Sequence, residues 1–388
     1  MNIFDMIIIG AGPGGYVAAI KAAKSGFKVA VIEEDRVGGT CLNRGCIPTK
    51  VMLHASSLYS ELKESERFGI FSSGVSFDYK KIMEYKNETV DKLCQGVEQL
   101  FKSNRITLIK GKATLEKDRS VSVVSESGKE SYNADKVILA TGSKPALPPI
   151  SGIESEGVVT SDELFKLTEI PKRLIIIGGG VIGTEFASVF SALGTEVTIL
   201  ESLPNILGNI DKDITQNLKL IMKKRGVDIH TSVNVKKIEK DDEELCCIYT
   251  EKDKDVEIRA ECILCAAGRI PNTEGLFGEG VDLSMEKGRI IVDEKFKTDM
   301  DGVYAIGDLI KGMQLAHLAS AQGICLIEEL AGHERSIELS VVPSCIYTEP
   351  EIAVIGISES EAKENGIPVK VGKFILNANY KSVISKEA

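Results

Sequence analysis

Apolar residues fall in short strand-like runs, and two of these runs open the same longer pattern. Asp5-Met-Ile-Ile-Ile leads into Gly10-Ala-Gly12-Pro-Gly-Gly15, and Arg173-Leu-Ile-Ile-Ile leads into Gly178-Gly-Gly180-Val-Ile-Gly183. Each is followed by a helical pattern, a further glycine (Gly26, Gly194) and a second strand that ends in an acid, Glu33 or Glu201. The offset from first glycine to acid is the same in both copies. Two widely separated copies of one strand–turn–helix–strand unit predict two nucleotide-binding domains rather than a solenoid.

Between the copies, residues 56–102 read as long polar-faced helices, with Leu58, Leu62, Val90, Leu93, Val97 and Leu100 at helical spacing. Residues 121–131 alternate and carry turn formers, which predicts a small antiparallel meander. Lys136 to Ala140 reads as a buried strand ending at Thr141-Gly142. Prolines at 145, 148 and 149 mark the clearest linker. Strands are expected at residues 197–200, 228–231, 262–266 and 302–308, and short strand-like runs from Val342 onward begin a last domain. The expected division is 1–148 and 273–342 for one nucleotide-binding domain in two parts, 149–272 for the other, and 343–388 for the start of an interface domain. The fold class is α/β: two Rossmann-like dinucleotide-binding domains plus a partial α+β interface domain.

Composition narrows the setting. With 388 residues, the chain is long enough for two or three domains of ~100–200 residues each. Forty-seven Lys+Arg against 57 Asp+Glu give a formal net charge of −10, so the broad basic footprint that nucleic acid or an anionic membrane requires is missing. No apolar run approaches the ~20 residues of a membrane span, and Asp5 interrupts the N-terminal one. Nine cysteines, an odd and uneven set, argue against a secreted disulfide framework and for mostly reduced thiols. The expected location is the cytoplasm.

The glycines carry chemistry. Gly10, Gly12 and Gly15 suit a tight turn and close backbone approach, so that a pyrophosphate sits on the positive end of the helix beginning near Pro13. Gly178, Gly180 and Gly183 repeat this. A carboxylate at Glu33 or Glu201 bonds a free ribose 2′-hydroxyl and repels a 2′-phosphate, which favours NAD over NADP in the second copy. Two such domains in one chain suggest electron transfer between dinucleotides, with FAD and NAD the natural pair.

Cys41-Leu-Asn-Arg-Gly-Cys46 follows the first cradle closely. Two small buried hydrophobes would be the ordinary fate of free cysteines. Five residues apart in a regular helix, their Cα atoms would lie roughly 8–9 Å apart, beyond the ~7 Å reach of a disulfide. Gly45 and Pro48 are the residues that would let a helix start irregularly and close that gap. A bond held there, beside a helix N-terminus, would be of the labile, catalytic kind.

The segment Thr40-Cys41-Leu-Asn-Arg-Gly-Cys46-Ile-Pro-Thr-Lys50 resembles the redox-active disulfide signature of the flavoprotein disulfide reductases, in wording most like their dihydrolipoamide dehydrogenase branch. The resemblance extends from Met1 to about Tyr380. It implies that Cys46 forms the charge-transfer thiolate against the flavin and that Cys41 is the interchange thiol. Lys50 would sit near the flavin N5 and pair with Glu185, and Asp308 would accept from the ribitol chain. Thr141-Gly142 and Gly268-Arg269-x-Pro271-Asn272 match two strand-end motifs of the family, and His317 begins the helix after the Gly-Asp motif. The implied reaction is FAD-dependent oxidation of a protein-bound dihydrolipoyl group by NAD. The implied partners are lipoyl domains of 2-oxo acid dehydrogenase complexes or the glycine-cleavage H-protein, and the implied assembly is a homodimer.

Family members end in an interface domain with a His–Glu pair that serves the partner's disulfide. This chain enters that domain at Tyr347-Thr-Glu-Pro350, and no histidine follows His333. It therefore reads as C-terminally incomplete, its acid/base residue is unassigned, and apolar surface should be left exposed. Two alternatives stay open. One is another disulfide reductase, of mercuric type or, against the sense of Glu201, glutathione type. The other is a cofactor-binding protein without dithiol turnover.

The remaining candidates are expected to be structural. Cys262 and Cys265 face opposite sides of a strand and make no metal site. Cys246 and Cys247 likewise point apart. Cys94, Cys325 and Cys345 read as core, His54 as a packing or capping residue, and His230 and His333 as surface or strand-end positions. The charge runs 241–244 and 251–257 read as solvated hairpin turns.

Overall fold

The computed structural model describes residues 3–241 and 244–385. Its first sheet has seven strands. Thr107–Lys110, Val29–Glu33, Ile3–Ile9, Gly128–Leu139, Val121–Ser125 and Lys112–Leu115 follow one another, and Val303–Ala305 joins against Gly128–Leu139. The twelve-residue strand Gly128–Leu139 serves two sheets at once. Its first half pairs antiparallel with Val121–Ser125, and its second half runs parallel to Ile3–Ile9 and Val303–Ala305. Its burial follows this division, with Gly128 to Ser131 exposed and Val137, Ile138 and Leu139 fully buried. A continuous apolar run is what a parallel strand covered on both faces requires.

The second sheet is five parallel strands in the order Asp228–Thr231, Glu196–Glu201, Arg173–Ile177, Cys262–Cys265, Val158–Thr160. A three-stranded antiparallel sheet (Asn234–Asp241, Glu244–Glu251, Lys254–Ala260) packs on it through Cys247 and Tyr249 against Ile175 and Ile177. The two hairpin positions among the charge runs lie here, with residues 242 and 243 outside the described residues. Glu251 to Lys254 forms the second turn, but residues 254–257 are already strand.

The helical spacing between the copies is real but only partly inward. The helix Tyr79–Ser103 buries Val90, Cys94, Val97 and Phe101, a face that spans about 60° at 100° per residue. Leu93 and Leu100 fall roughly 70–90° from its centre and are exposed, as are Leu58 and Leu62 on the helix Cys46–Lys63. The expected stripe of leucines therefore does not form core.

The final segment is thin. Ser344–Ile346 pairs antiparallel with Ile352–Val354, followed by the short helices Glu359–Glu364 and Tyr380–Ser385. Phe374, Ile375, Tyr380 and Ile384 are each about 70–80% exposed, matching the expected open apolar surface. Cys345 is exposed rather than core, because in a strand of period two its neighbour Ile346 takes the buried face. His54 is exposed and no packing residue. Among the described residues, no helix is long and apolar enough to cross a membrane.

Candidate active site

The two glycine turns are built alike. Gly10 N–H donates to Ile32 O and Ala140 N–H to Ile9 O, while Gly178 N–H donates to Leu200 O and Ala266 N–H to Ile177 O. Gly10 and Gly178 have φ of +104° and +110°, and a Cβ on either would lie 2.4 Å from the carbonyl oxygen of Ala140 or Ala266. A Cβ on Gly15 or Gly183 would come within 1.9 or 2.0 Å of the first glycine's carbonyl oxygen. The middle glycine differs. At Gly12 the nearest atom to an added Cβ is 3.8 Å away, and at Gly180 nothing lies within 4 Å. The helices Pro13–Lys24 and Val181–Ala192 begin there with no side-chain cap and no acid in the first turn. Uncapped N–H groups facing an open cradle fit a dinucleotide pyrophosphate.

Glu33 and Glu201 do more than await a ribose. Glu33 Oε2 accepts from Ala11 N–H at 2.7 Å and Oε1 from Asp35 N–H at 3.0 Å. Glu201 Oε2 accepts from Gly179 N–H at 2.6 Å and Oε1 from Leu203 N–H at 2.7 Å. Each acid pins the residue after the first glycine, and each carboxylate keeps further lone pairs for a ligand hydroxyl. Burial, opposed by these N–H donors, raises the pKa of Glu33.

The cysteines hang from the first cradle. Gly38 N–H donates to Ala11 O at 2.8 Å, and Gly39 abuts Gly12 so closely that its Cβ would meet Gly12 Cα at 2.6 Å. Positive φ at both glycines turns the chain into the helix Gly39–Arg44. Gly45, at φ −142° and ψ −109°, breaks that helix, and Cys46–Lys63 starts afresh. Asn43 ties the turn by donating to Val37 O and Gly39 O.

Cys41 and Cys46 are half-buried free thiols in this structure, and the Cys41 thiol hydrogen-bonds the Cys46 sulfur. That bond, with help from the Lys50 cation and against the cost of burial, lowers the Cys46 pKa to about 7. The same bond and burial raise Cys41. One proton shared by two sulfurs leaves Cys46 as the anion.

Lys50 lies one turn beyond Cys46, on the same face of the helix. Its Nζ donates to both oxygens of Glu185, at 2.8 and 2.9 Å. Glu185 comes from the helix after the second glycine turn and is 4% exposed. The strand-end motifs interlock as well. Ser143–Pro145 pairs with Arg269–Pro271, Thr141 Oγ1 donates to Asn272 O at 2.7 Å, and Gly142, at φ +69°, accepts from Asn272 N–H. Ala146 N–H donates to Gly268 O.

Arg269 donates from Nε to Ser143 Oγ at 2.8 Å and from Nη2 to Ser143 O at 2.6 Å. Ser143 in turn donates to Asp308 Oδ2 at 2.6 Å. Burial depresses the Arg269 pKa. His317 Nε2 bonds the Pro343 carbonyl at 2.7 Å, which links the helix Ala316–Leu330 to the final segment.

Three participants escaped the sequence reading. Ser143 bridges Arg269 and Asp308, Asn43 holds the turn between the cysteines, and Tyr347 touches the Lys50–Glu185 pair. Ser143 and Asn43 lie inside or beside quoted motifs, so adjacency was their only signal. Cys94 and Cys325 are buried as expected, and Cys246, Cys247, Cys262 and Cys265, expected on opposite faces of their strands, are all buried because both faces are covered.

Known proteins resemble this chain over nearly its whole length. The family model "Pyridine nucleotide-disulphide oxidoreductase" matches residues 4–323, and the dimerisation domain of the same family matches residues 342–388. The chain is 40% identical over 377 residues to a dihydrolipoyl dehydrogenase of Staphylococcus aureus, covering 97% of this chain and 80% of that protein. It is 39% identical over 398 residues to one of Bacillus subtilis (strain 168), covering 99% and 84%. It is 40% identical over 383 residues to one of Chlamydia pneumoniae, covering 98% and 81%. Among solved structures, the Cu(II) complex of the HOCl-induced flavoprotein disulfide reductase RclA from Escherichia coli superposes with a TM-score of 0.88 at 30% identity, covering all of this chain and 84% of that one. The chain belongs to the pyridine nucleotide-disulphide oxidoreductase family, as an oxidoreductase that uses FAD and NAD.

Proposed function

We propose that this protein oxidises protein-bound dihydrolipoyl groups with NAD, through FAD and the Cys41–Cys46 pair. The observation that carries the reading is the thiol pair at the broken helix start, with the Lys50–Glu185 ion pair one turn away. The relatives' shared activity points to the same substrate. When bound, FAD supplies the two-electron relay between the thiols and NAD.

The protein's own residues do the following. With the pair oxidised, a substrate thiolate attacks Cys41 Sγ, the Cys41–Cys46 bond breaks, and Cys46 leaves as a thiolate. The second substrate thiolate attacks the substrate sulfur of the mixed disulfide, which closes the lipoyl disulfide and releases Cys41. Two electrons have then passed to the pair. Of the two thiols Cys46 ionises first, because Cys41 donates to it and Lys50 stands close. Gly10, Gly12, Gly15, Glu33, Thr141, Gly142, Asp308 and His317 would hold or border the FAD, and Arg269 would fix Ser143 and Asp308 beside it. Gly178, Gly180, Gly183, Glu201 and Gly268 would hold NAD. Residues 1–148 and 273–342 would form the FAD-binding part, and 149–272 the NAD-binding part.

The expected partners are lipoyl domains or an H-protein, in a cytoplasmic homodimer formed through the segment 343–388. The test is direct. Protein reconstituted with FAD should turn yellow and reduce NAD with dihydrolipoamide, and should prefer this to reducing glutathione disulfide with NADPH. Reduction of Hg(II) or Cu(II) by NADH with no dihydrolipoamide turnover would place it instead with the metal-directed disulfide reductases.

A further inference from the structure

The dimerisation segment reaches into the redox site through one residue. Tyr347, just after the strand Ser344–Ile346, donates its backbone N–H to Glu185 Oε1 at 3.0 Å. That oxygen also accepts from Lys50 Nζ at 2.8 Å. The Tyr347 ring centroid lies 4.4 Å from the same Nζ. The Lys50 ammonium thus meets a carboxylate from one half of the molecule and an aromatic face from the segment 342–388.

We propose that Tyr347 is a positioning residue: its ring holds the Lys50 ammonium against Glu185, so that the dimerisation segment decides where the cation beside Cys46 stands. The inference rests on the redox reading of Cys41 and Cys46.

The physical case has three parts. Lysine carries a compact charge on a flexible four-carbon stem, so its position is set by what meets the ammonium. The Lys50 side chain is 30% exposed, which leaves it free to swing toward water unless something covers it. Glu185 is buried and fixed, but a carboxylate constrains only one side of the ammonium. The ring supplies another side, within the ~6 Å reach of a cation–π contact. The titratable groups that face Cys46 are Cys41, Lys50 and Glu185, with Arg269 and Tyr16 also within electrostatic range. Of these, Lys50 is the one that meets the side chain of residue 347. Because Tyr347 binds Glu185 through its backbone, a substitution at 347 removes the ring and leaves that hydrogen bond available.

The experiment is the pH dependence of iodoacetamide alkylation of the reduced holoprotein, with each cysteine resolved by peptide mass spectrometry. Tyr347→Leu should raise the Cys46 midpoint by about half a unit, roughly a twofold loss of thiolate at pH 7. Tyr347→Phe keeps the ring and should restore the original midpoint. In a Lys50→Met background, Tyr347→Leu should add nothing. Continued protection of Cys94 and Cys325 reports an intact fold, and Tyr347→Gln replaces the leucine variant if that fold is lost. An unchanged midpoint in Tyr347→Leu, an equal shift in Tyr347→Phe, or the same shift without Lys50 would each overturn the proposal. Failure of the redox reading shows separately, as absent dihydrolipoamide turnover in the unmodified protein, and leaves the alkylation comparison to be decided by its own result.

Discussion

Lys50 and Glu185 stand 135 positions apart in the chain, yet the lysine ammonium donates to both carboxylate oxygens at 2.8 and 2.9 Å. One comes from the helix that carries the thiols and the other from the helix after the second glycine turn, so the pair fastens the two nucleotide-binding halves together. A buried carboxylate left without its cation keeps the desolvation cost and loses the compensation. Lys50→Met should therefore destabilise the protein by about 2 kcal/mol, somewhat below the usual range for a fully buried pair because the lysine is partly exposed. Urea unfolding should show this as a lower midpoint at unchanged slope. Glu185→Gln should cost less, since the ammonium keeps access to water and to the Tyr347 ring.

The thiol pair gives a pH signature. The folded-state pKa of Cys46 is lowered to about 7 from its ordinary value near 9, so its contribution to stability is present above pH 9 and is lost as pH falls through 7. Cys41 and the buried cysteines, among them Cys247 and Cys262 at about 12, are shifted upward and oppose folding only above pH 9. Between pH 7 and 9 the stability of the reduced protein should rise with a component that Cys46→Ser abolishes. Urea titrations at several pH values measure it, and identical pH profiles for the two proteins would contradict the assignment.

The glycine turns separate fold from function. Gly15→Ala and Gly183→Ala drive a Cβ into a backbone oxygen, so both should yield unstable or insoluble protein. Gly12→Ala and Gly180→Ala meet open space and should fold. On the proposed reading they place a methyl where a pyrophosphate would approach, so the first should lose FAD affinity and the second should raise the KM for NAD by about tenfold or more. Flavin absorbance per mole of protein and steady-state kinetics distinguish the two.

Glu201 serves two ends at once. If Glu201 faces the NAD ribose as proposed, Glu201→Ala should narrow the preference for NAD over NADP, since the carboxylate that would repel a 2′-phosphate is gone. It should also cost about 1–3 kcal/mol, because Gly179 N–H and Leu203 N–H lose their acceptor. Steady-state KM values for both nucleotides and a thermal melt read the two effects independently.

Much of the site was legible because its signals are local. A glycine at φ above +100° or one whose Cβ would strike a backbone oxygen leaves a mark at that one position, and the repeat doubled the mark. The cysteine spacing and Gly45 announced an irregular helix start, which the structure has. The misreadings share a different cause. Leu93, Leu100 and Cys345 are apolar enough for a core, but which side of a helix or strand faces inward depends on what packs there, and their sides are open. His54 fails in the same way.

The order of residues by itself determined two glycine cradles, their acids, a thiol pair and the strands that carry them, because each follows from backbone geometry within about thirty positions. Only the tertiary structure decided that Glu185 meets Lys50, that Ser143 joins Arg269 to Asp308, and that Tyr347 closes over the ammonium. Those contacts join elements far apart in the chain, where sequence distance carries no record of spatial distance and only packing brings the partners together.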